Sequence, residues 1–232
     1  MQRGRVHSGN CVSLLPHSIS TEISGRLGRA VARTGLTPNA LTLIGLFGMA
    51  GASTLAAYGM FWQAGIVMLA AALFDLLDGA VARATGRASD WGAVFDAVSD
   101  RLADFAILFG LLIWYSAAER FDRTAIVLIA VSLFGSMMVS YTRSKAGEFG
   151  VSIRTGLGTR LERVLIVAIG LLSSQIVPML WLLAVLTNLT ALQRWFITWR
   201  AMRAIEQGAP IAEKEDEPEE PPDSPFGGTV AD

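Results

Sequence analysis

The sequence offers few side chains for disulfide or soft-metal chemistry. It has one cysteine, Cys11, and two histidines, His7 and His17, among 232 residues. A lone cysteine excludes an intrachain disulfide, and no Cys/His cluster is spaced as a zinc site requires. Charge is also scarce, at 17% of residues against about 25% in soluble domains. Apolar residues make up 52%, so the composition favours a membrane protein.

Charge is missing from long continuous stretches. The longest is Thr34–Phe74, with 41 uncharged residues; a single span needs about 20. It therefore predicts two spans with a turn near 58–63. Thr124–Thr142 predicts one more span, and Val164–Gln193 predicts two, separated by a turn at its serines and proline. With a helix over Asp96–Ala118, we predict an all-α, polytopic membrane protein with six transmembrane helices.

The two ends of the chain differ from this middle part. Residues 1–34 form a polar leader in which Ile19–Arg33 has an apolar face, which predicts an N-terminal amphipathic helix lying at the membrane interface. Residues 35–207 form the predicted transmembrane domain. Residues 208–232 contain eight acidic residues and five prolines, which is typical of a disordered tail.

The basic residues predict the orientation. Of the nineteen lysines and arginines, only Arg120 and Arg123 fall in a turn on one side of the membrane. Cytoplasmic loops carry the excess of positive charge. We therefore expect a multi-pass protein of the cell membrane with both termini in the cytoplasm. The bilayer is the expected surrounding, and no nucleic-acid partner is expected.

One polar segment stands out between the apolar stretches. FDLLDGAVARATGRASDWGAVFDAVSD covers Phe74–Asp100 and carries five aspartates. Asp75 and Asp78 share one helix face, and Asp96 and Asp100 share a face of the following helix. Two consecutive antiparallel helices can bring both pairs to one depth, on the cytoplasmic side.

Four carboxylates at one place require a positive partner. They cannot all stay ionised without a cation between them, and ligands that offer only oxygen select a hard cation such as Mg²⁺ or Mn²⁺. Salt-bridged residues in a membrane-side loop are the structural alternative. A cation-coupled transporter is the functional one. Ionisable groups within spans usually mark function, and the sequence has no repeat of the kind that transporters show.

The spacing of this segment resembles the signature of the CDP-alcohol phosphotransferase family. The matching positions are Asp75, Asp78, Gly79, Ala82, Arg83, Gly92, Asp96 and Asp100. The resemblance implies a six-helix enzyme, usually homodimeric, that binds a CDP-linked lipid, transfers its phosphatidyl group to an alcohol and releases CMP. Its layout covers about Leu36 to Arg203.

The resemblance also implies roles for individual residues. Asp75, Asp78, Asp96 and Asp100 would hold two divalent cations, Mg²⁺ or Mn²⁺, and Asp100 would be the general base. The residues expected around CDP-diacylglycerol are Pro38, Asn39, Gly79, Arg83 and Ser89. Two cations would stabilise the pyrophosphate charge during an in-line displacement.

The acceptor is predicted from a second set of charges. Three short segments resemble parts of bacterial phosphatidylinositol phosphate synthases, in which the acceptor is inositol phosphate. They are VSYTRSKAGEFG, TRLER and LQRW. The residues expected at the acceptor phosphate are Arg143, Lys145, Arg160, Arg163 and Arg194. Arginine forks match phosphate oxygens, although a cytoplasmic face carries basic residues in any case. Glycerol 3-phosphate is the alternative acceptor, as in a phosphatidylglycerophosphate synthase, and an archaeal-type ether lipid is the alternative donor.

Overall fold

The computed structural model describes residues 37–84, 89–151 and 158–207, except for the side chains of residues 83 and 84. The described residues form six α-helices and no strand, which confirms the all-α prediction. The helices are α1 (Pro38–Ala57), α2 (Phe61–Ala84), α3 (Asp90–Ser116), α4 (Arg123–Glu148), α5 (Arg160–Leu172) and α6 (Ile176–Glu206). The leader, its amphipathic helix and the acidic tail lie outside the described residues.

Local sequence explains where most of these helices begin. The Thr37 hydroxyl accepts the Ala40 amide at the start of α1, and Pro38 occupies the first helical turn. Asp122 accepts two amides at the start of α4. At α5, Thr159 and Glu162 form a reciprocal capping box. These side chains satisfy amide groups that the first helical turn leaves without partners.

Both predicted turns are present in the structure, although Pro178 lies in the first turn of α6 rather than before it. One predicted helix boundary differs. Tyr58–Met60 separates α1 from α2, with Gly59 at a φ of 79°, and Ser173–Gln175 separates α5 from α6. The third helix begins at Asp90 rather than at Asp96. Its earlier start follows from Ser89, whose hydroxyl accepts the Gly92 amide at 3.0 Å and caps the helix.

The six helices form a closed ring. Going around it, α1 packs against α2, α2 against α5, α5 against α6, α6 against α4, α4 against α3, and α3 against α1. In the described part of the chain, the consecutive helices α2 and α3 do not pack directly on each other; α1 lies between them. Side chains of α3 can therefore meet those of α2 and α5 only across the interior of the ring.

The interior is apolar at one end and polar at the other. The apolar core includes Ile107, Leu111, Ile129, Leu171 and Leu180, all at most 2% exposed. It lies toward the end where the turns join α1 to α2 and α5 to α6. The opposite end receives the start of α3 and the end of α2. The acidic segment is therefore held at the polar end of the ring.

Four of the six helices in the described part of the chain are long and apolar enough to cross a membrane. They are Pro38–Ala57, Phe61–Ala82, Arg123–Glu148 and Ile176–Glu206. The other two helices are α3, which carries charges along its first half, and α5, which has 13 residues. Crossing by these two helices, which would make six spans, stays a prediction.

Close packing of α1 against α3 depends on Gly110, and this generates a test. A Cβ at Gly110 would overlap the backbone oxygen of Ser53, whose hydroxyl donates to the Ala106 carbonyl at 2.6 Å. We expect Gly110→Ala to lower the free energy of unfolding by about 1–3 kcal/mol through overpacking. Gly51→Ala is the matched control, because a Cβ there meets nothing within 4 Å. Thermal unfolding in detergent should separate the two variants; equal melting temperatures would contradict the packing.

Candidate active site

Three aspartates meet inside the polar end of the ring. Asp75 and Asp78 come from α2 and Asp96 from α3, and one carboxylate oxygen of each lies within 4.8 Å of the others. Asp78 is buried, with 5% of its surface exposed. Three oxygen ligands at this spacing suit a divalent cation that prefers carboxylates. The convergence of α2 and α3 predicted for these residues is therefore confirmed by the structure.

The orientation of Asp78 is fixed by a residue that the sequence did not single out. The Thr42 hydroxyl of α1 donates to Asp78 Oδ2 at 2.5 Å. Thr42 is itself buried, and its hydroxyl also lies 3.2 Å from the Pro38 carbonyl. Helix α1 thus supplies both the spacing between α2 and α3 and a hydrogen bond that orients one carboxylate.

Arg160 joins the two carboxylate-bearing helices. Arg160 Nη1 contacts Asp75 Oδ2 of α2, and the same nitrogen lies 2.8 Å from Asp100 Oδ1 of α3. Asp100 therefore adjoins the three-aspartate group through Arg160 rather than belonging to it. Arg160 was predicted at the acceptor phosphate; its observed contacts place it at the boundary between the carboxylates and the other arginines.

A second ion pair lies one helical turn further into the ring. Arg163 Nη2 of α5 donates to Asp104 Oδ2 of α3 at 2.8 Å, and the Ser136 hydroxyl of α4 donates to the same oxygen at 3.2 Å. Asp104 was missed at the sequence level. The signal was present, since residues 96, 100 and 104 continue one i, i+4 row of a helix.

Positive charges crowd around Arg194 of α6. It is 8% exposed, its Nη1 donates to the Val139 carbonyl at 3.1 Å, and its Nε has no hydrogen-bond partner. The charges that act on it come from Arg143, Arg163 and Arg101. No carboxylate in the described part of the chain forms an ion pair with it. A buried cation among like charges has the chemistry of an anion site.

Arg101 is the third residue that the sequence reasoning missed. Its Nε donates to the Ser140 hydroxyl of α4 at 3.1 Å, and its Nη1 lies 3.6 Å from Asp100 Oδ2. Arg101 therefore links Asp100, the predicted general base, to the arginine group. This group is Arg194 with the three arginines whose charges act on it, Arg101, Arg143 and Arg163. The place of Arg101 directly after Asp100 in the sequence was the available signal.

The remaining predicted acceptor residues are less enclosed. Arg143, near the end of α4, is exposed and acts electrostatically on Arg194. Lys145 is also exposed, and its Nζ donates to Glu148 at 2.9 Å on the surface of α4. The structure does not bring Lys145 into contact with the other predicted acceptor residues, so its role stays a prediction.

The residues predicted around the CDP-lipid lie at the same end of the ring. Asn39 Oδ1 is 3.7 Å from the position that a Cβ on Gly92 would occupy, so the starts of α1 and α3 are close. Gly79 directly follows Asp78. Ser89 has an observed structural role as the cap of α3. Arg83 is within α2, but its side chain lies outside the described residues.

These observations define a class of protein. The chain is a helical membrane protein. It has a cluster of three aspartates suited to a divalent cation, and the arginine group adjoins this cluster. It belongs to the CDP-alcohol phosphatidyltransferase family, whose model matches residues 35–211. It is therefore a metal-dependent membrane transferase of phospholipid synthesis, and the predicted family resemblance is confirmed.

Two curated relatives have closely related functions. The archaetidylinositol phosphate synthase of Pyrococcus horikoshii is 37% identical over 188 residues, which cover 79% of this chain and 93% of that protein. The phosphatidylinositol phosphate synthase of Mycobacterium tuberculosis is 35% identical over 205 residues, 84% of this chain and 94% of that protein.

Solved structures of the mycobacterial enzyme share the fold. The structure with CDP-DAG bound has a TM-score of 0.70 at 32% identity, over 77% of this chain and 94% of that one. The structure in complex with manganese and citrate has a TM-score of 0.69 at 32% identity, over 76% and 88%. Manganese in that relative agrees with the cluster of three aspartates in this chain.

The cluster of three aspartates leads to a test of metal binding. Asp96→Asn should weaken Mn²⁺ binding more than about tenfold. Loss of a residue that only hydrogen-bonds to a metal ligand already weakens metal binding about tenfold or more, and Asp96 would be a ligand itself. Asp90→Asn is the matched control on the same helix, since Asp90 is exposed and outside the group. Electron paramagnetic resonance of free Mn²⁺ measures the metal affinity of both variants.

In the wild type, EDTA should abolish turnover, and Mg²⁺ or Mn²⁺ should restore it. Full activity after exhaustive chelation would refute a metal site.

Proposed function

We propose that this protein transfers the phosphatidyl group of CDP-diacylglycerol to inositol phosphate, giving phosphatidylinositol phosphate and CMP. The observation that carries the proposal is the pairing of two adjoining groups inside one ring: carboxylates on α2 and α3, and arginines around Arg194. The first suits a cation-bound pyrophosphate and the second suits an acceptor that already bears phosphate. Free inositol would not need the second group.

The donor half of the proposal assigns the aspartates to metal. Asp75, Asp78, Asp96 and Asp100 would hold two divalent cations, Mg²⁺ or Mn²⁺. Bound there, the cations would neutralise pyrophosphate oxygens and the charge that develops on the departing CMP. The residues assigned to the CDP moiety are Pro38, Asn39, Gly79, Arg83 and Ser89. The proximity of Asn39 to Gly92 supports a common site for this set.

Asp100 is assigned as the general base. The inositol phosphate hydroxyl attacks the lipid-linked phosphorus, the bond from that phosphorus to the CMP oxygen breaks, and the hydroxyl proton passes to Asp100. The position of Asp100 between the three aspartates and the arginines supports this role. The hydroxyl of a phosphate-anchored acceptor would lie beside it.

The acceptor half assigns the phosphate to Arg143, Lys145, Arg160, Arg163 and Arg194. The names of both curated relatives contain inositol phosphate, whereas their lipid parts differ. This favours inositol phosphate over glycerol 3-phosphate as acceptor. CDP-DAG in the similar solved structure favours the diacyl donor, and an ether-linked donor presents the same pyrophosphate to the site.

We also propose the placement in the membrane. With α3 and α5 crossing in addition to the four longer helices, both termini and the active site face the cytoplasm, and residues 1–34 lie at that interface. Residues 35–207 then form one catalytic domain and residues 208–232 a tail. Homodimerisation, which the family resemblance implies, is retained as part of the proposal.

The acceptor assignment is tested with purified protein, CDP-diacylglycerol and radiolabelled acceptors. We expect incorporation of inositol phosphate and CMP release, with much weaker use of glycerol 3-phosphate and free inositol. Efficient use of glycerol 3-phosphate alone would make the protein a phosphatidylglycerophosphate synthase. Equal use of free inositol would remove the reason for an acceptor phosphate site.

The same assay examines the arginine group. Arg194→Ala should raise the KM for inositol phosphate about 10- to 100-fold, since a charge-assisted hydrogen bond contributes roughly 1.5–3 kcal/mol. The KM for CDP-diacylglycerol should change little. Arg200→Ala is the matched control, because Arg200 is on the same helix, exposed and stacked on Phe196. Equal effects on both KM values in Arg194→Ala would contradict the assignment.

The membrane placement is tested by cysteine labelling in a Cys11→Ser background. A cysteine at Glu148 should react with an impermeant reagent only from the cytoplasmic side, and one at Arg120 only from the outside. This follows from the seventeen-to-two distribution of lysine and arginine. Labelling of both positions from the same face would contradict the six-span arrangement.

A further inference from the structure

We propose that Asp104, which lies outside the family signature, is a positioning residue for the acceptor: it holds the guanidinium of Arg163 in the orientation that receives the acceptor phosphate. This inference rests on the proposed function of Arg163. It adds an acidic residue to the acceptor side of the site, where only basic residues were predicted.

The contacts of Arg163 define its orientation. Nη2 donates to Asp104 Oδ2 at 2.8 Å, and Nη1 lies 3.3 Å from the Gly158 carbonyl at the entrance to α5. Two nitrogens of the guanidinium are thus held by acceptors in two different places, one before the start of α5 and one on α3. Only 9% of the Arg163 side chain and 19% of the Asp104 side chain are exposed. In the described part of the chain, the remaining N–H groups of Arg163 have no other acceptor.

Asp104 is itself held in place. The Ser136 hydroxyl of α4 donates to the oxygen that accepts from Arg163, at 3.2 Å. Asp104, Ser136 and Arg163 line one cavity inside the ring, together with Ser132 and Thr187. Because α3 and α5 do not pack backbone against backbone, the ion pair spans the ring interior. The carboxylate therefore fixes the distance of Arg163 from α3.

The charges supply the reason for an acidic residue here. Arg163 and Arg143 both act on the buried Arg194 with charges of the same sign. A guanidinium free to rotate would turn away from that repulsion before any phosphate arrived. A hydrogen-bonded carboxylate opposite Arg163 offsets it and pre-orders the fork, which lowers the cost of binding an anion. Ionisable pairs are otherwise costly to keep inside a membrane protein.

A purely structural ion pair between α3 and α5 makes a different prediction. It would lower the stability of the protein when broken and reduce activity toward both substrates together. A positioning role acts on one substrate. The discriminating quantity is therefore the KM for inositol phosphate relative to the KM for CDP-diacylglycerol.

The experiment measures both KM values for Asp104→Asn, Asp104→Glu, Arg163→Ala and the double variant Asp104→Asn/Arg163→Ala in the full chain with Mg²⁺. Asp104→Asn should raise the KM for inositol phosphate about tenfold and leave that for CDP-diacylglycerol within about twofold. Asp104→Glu, which keeps the charge, should recover part of the loss. The double variant should be no worse than Arg163→Ala, because both changes remove one interaction.

Asp122→Asn is the matched control. It makes the same chemical change at the N-cap of α4, where Asp122 accepts the Thr124 amide at 2.8 Å, outside the polar end of the ring. It should leave both KM values unchanged. Should Asp104→Asn fail to fold, Ser136→Ala decides, because it removes only the second donor to Asp104; it should raise the KM for inositol phosphate about threefold.

The outcomes separate this inference from the proposed function. A wild-type KM for inositol phosphate in Asp104→Asn, or in Ser136→Ala where that variant decides, would overturn the positioning role while Arg163→Ala still impairs acceptor binding. Effects of Asp104→Asn and Arg163→Ala that simply add would overturn it as well. If Arg163→Ala itself leaves the acceptor KM unchanged, the assignment of Arg163 in the proposed function is wrong, and this inference falls with it.

Discussion

The ion pairs that α5 makes across the ring are the interactions on which the site depends. Arg160 contacts carboxylates of both α2 and α3, and Arg163 contacts Asp104 of α3. Since α5 packs its backbone against α2 but not against α3, these two arginines supply the ion pairs that join α5 to α3 across the ring. The capping box at Thr159 begins α5 immediately before them. The helix start and the charged contacts are therefore set by one short segment.

The same arrangement explains how a membrane protein keeps so many carboxylates together. Helix α1 stands between α2 and α3, so the aspartates face each other across a space instead of a tight helix interface. The space admits a guanidinium from α5, a hydroxyl from Thr42 and, on the proposal made above, cations. Repulsion among the carboxylates is thus balanced by groups from three other directions, which a directly packed α2–α3 pair would exclude.

Some of this follows from sequence and some does not. Asp75, Asp78 and Asp96 were predicted to meet because helical periodicity and a short connection determine their faces and depth. The order of helices in the ring was not predictable, since it depends on long-range packing at positions such as Gly110 and Ser53. The contacts of Arg160 follow from that order. Thr42 was missed for a different reason: a lone polar residue on an apolar helix has no local partner, and its role becomes visible only when a distant helix supplies one. Asp104 continues the i, i+4 row of Asp96 and Asp100, but its hydrogen-bond partners lie on two other helices.

The spacing of Arg160 and Arg163 has a consequence for the acceptor. They are three residues apart on α5, about 4.5 Å along the helix axis. Arg160 touches the carboxylates that would surround the reacting hydroxyl, and on the proposal made above Arg163 would contact the acceptor phosphate. With these roles, α5 would set a length for the acceptor: an acceptor would react when the separation between its phosphate and its hydroxyl matches the distance between these two guanidinium groups. Selection among phosphorylated alcohols then becomes a matter of molecular length and stiffness, which a rigid ring satisfies at a lower entropic cost than a flexible chain.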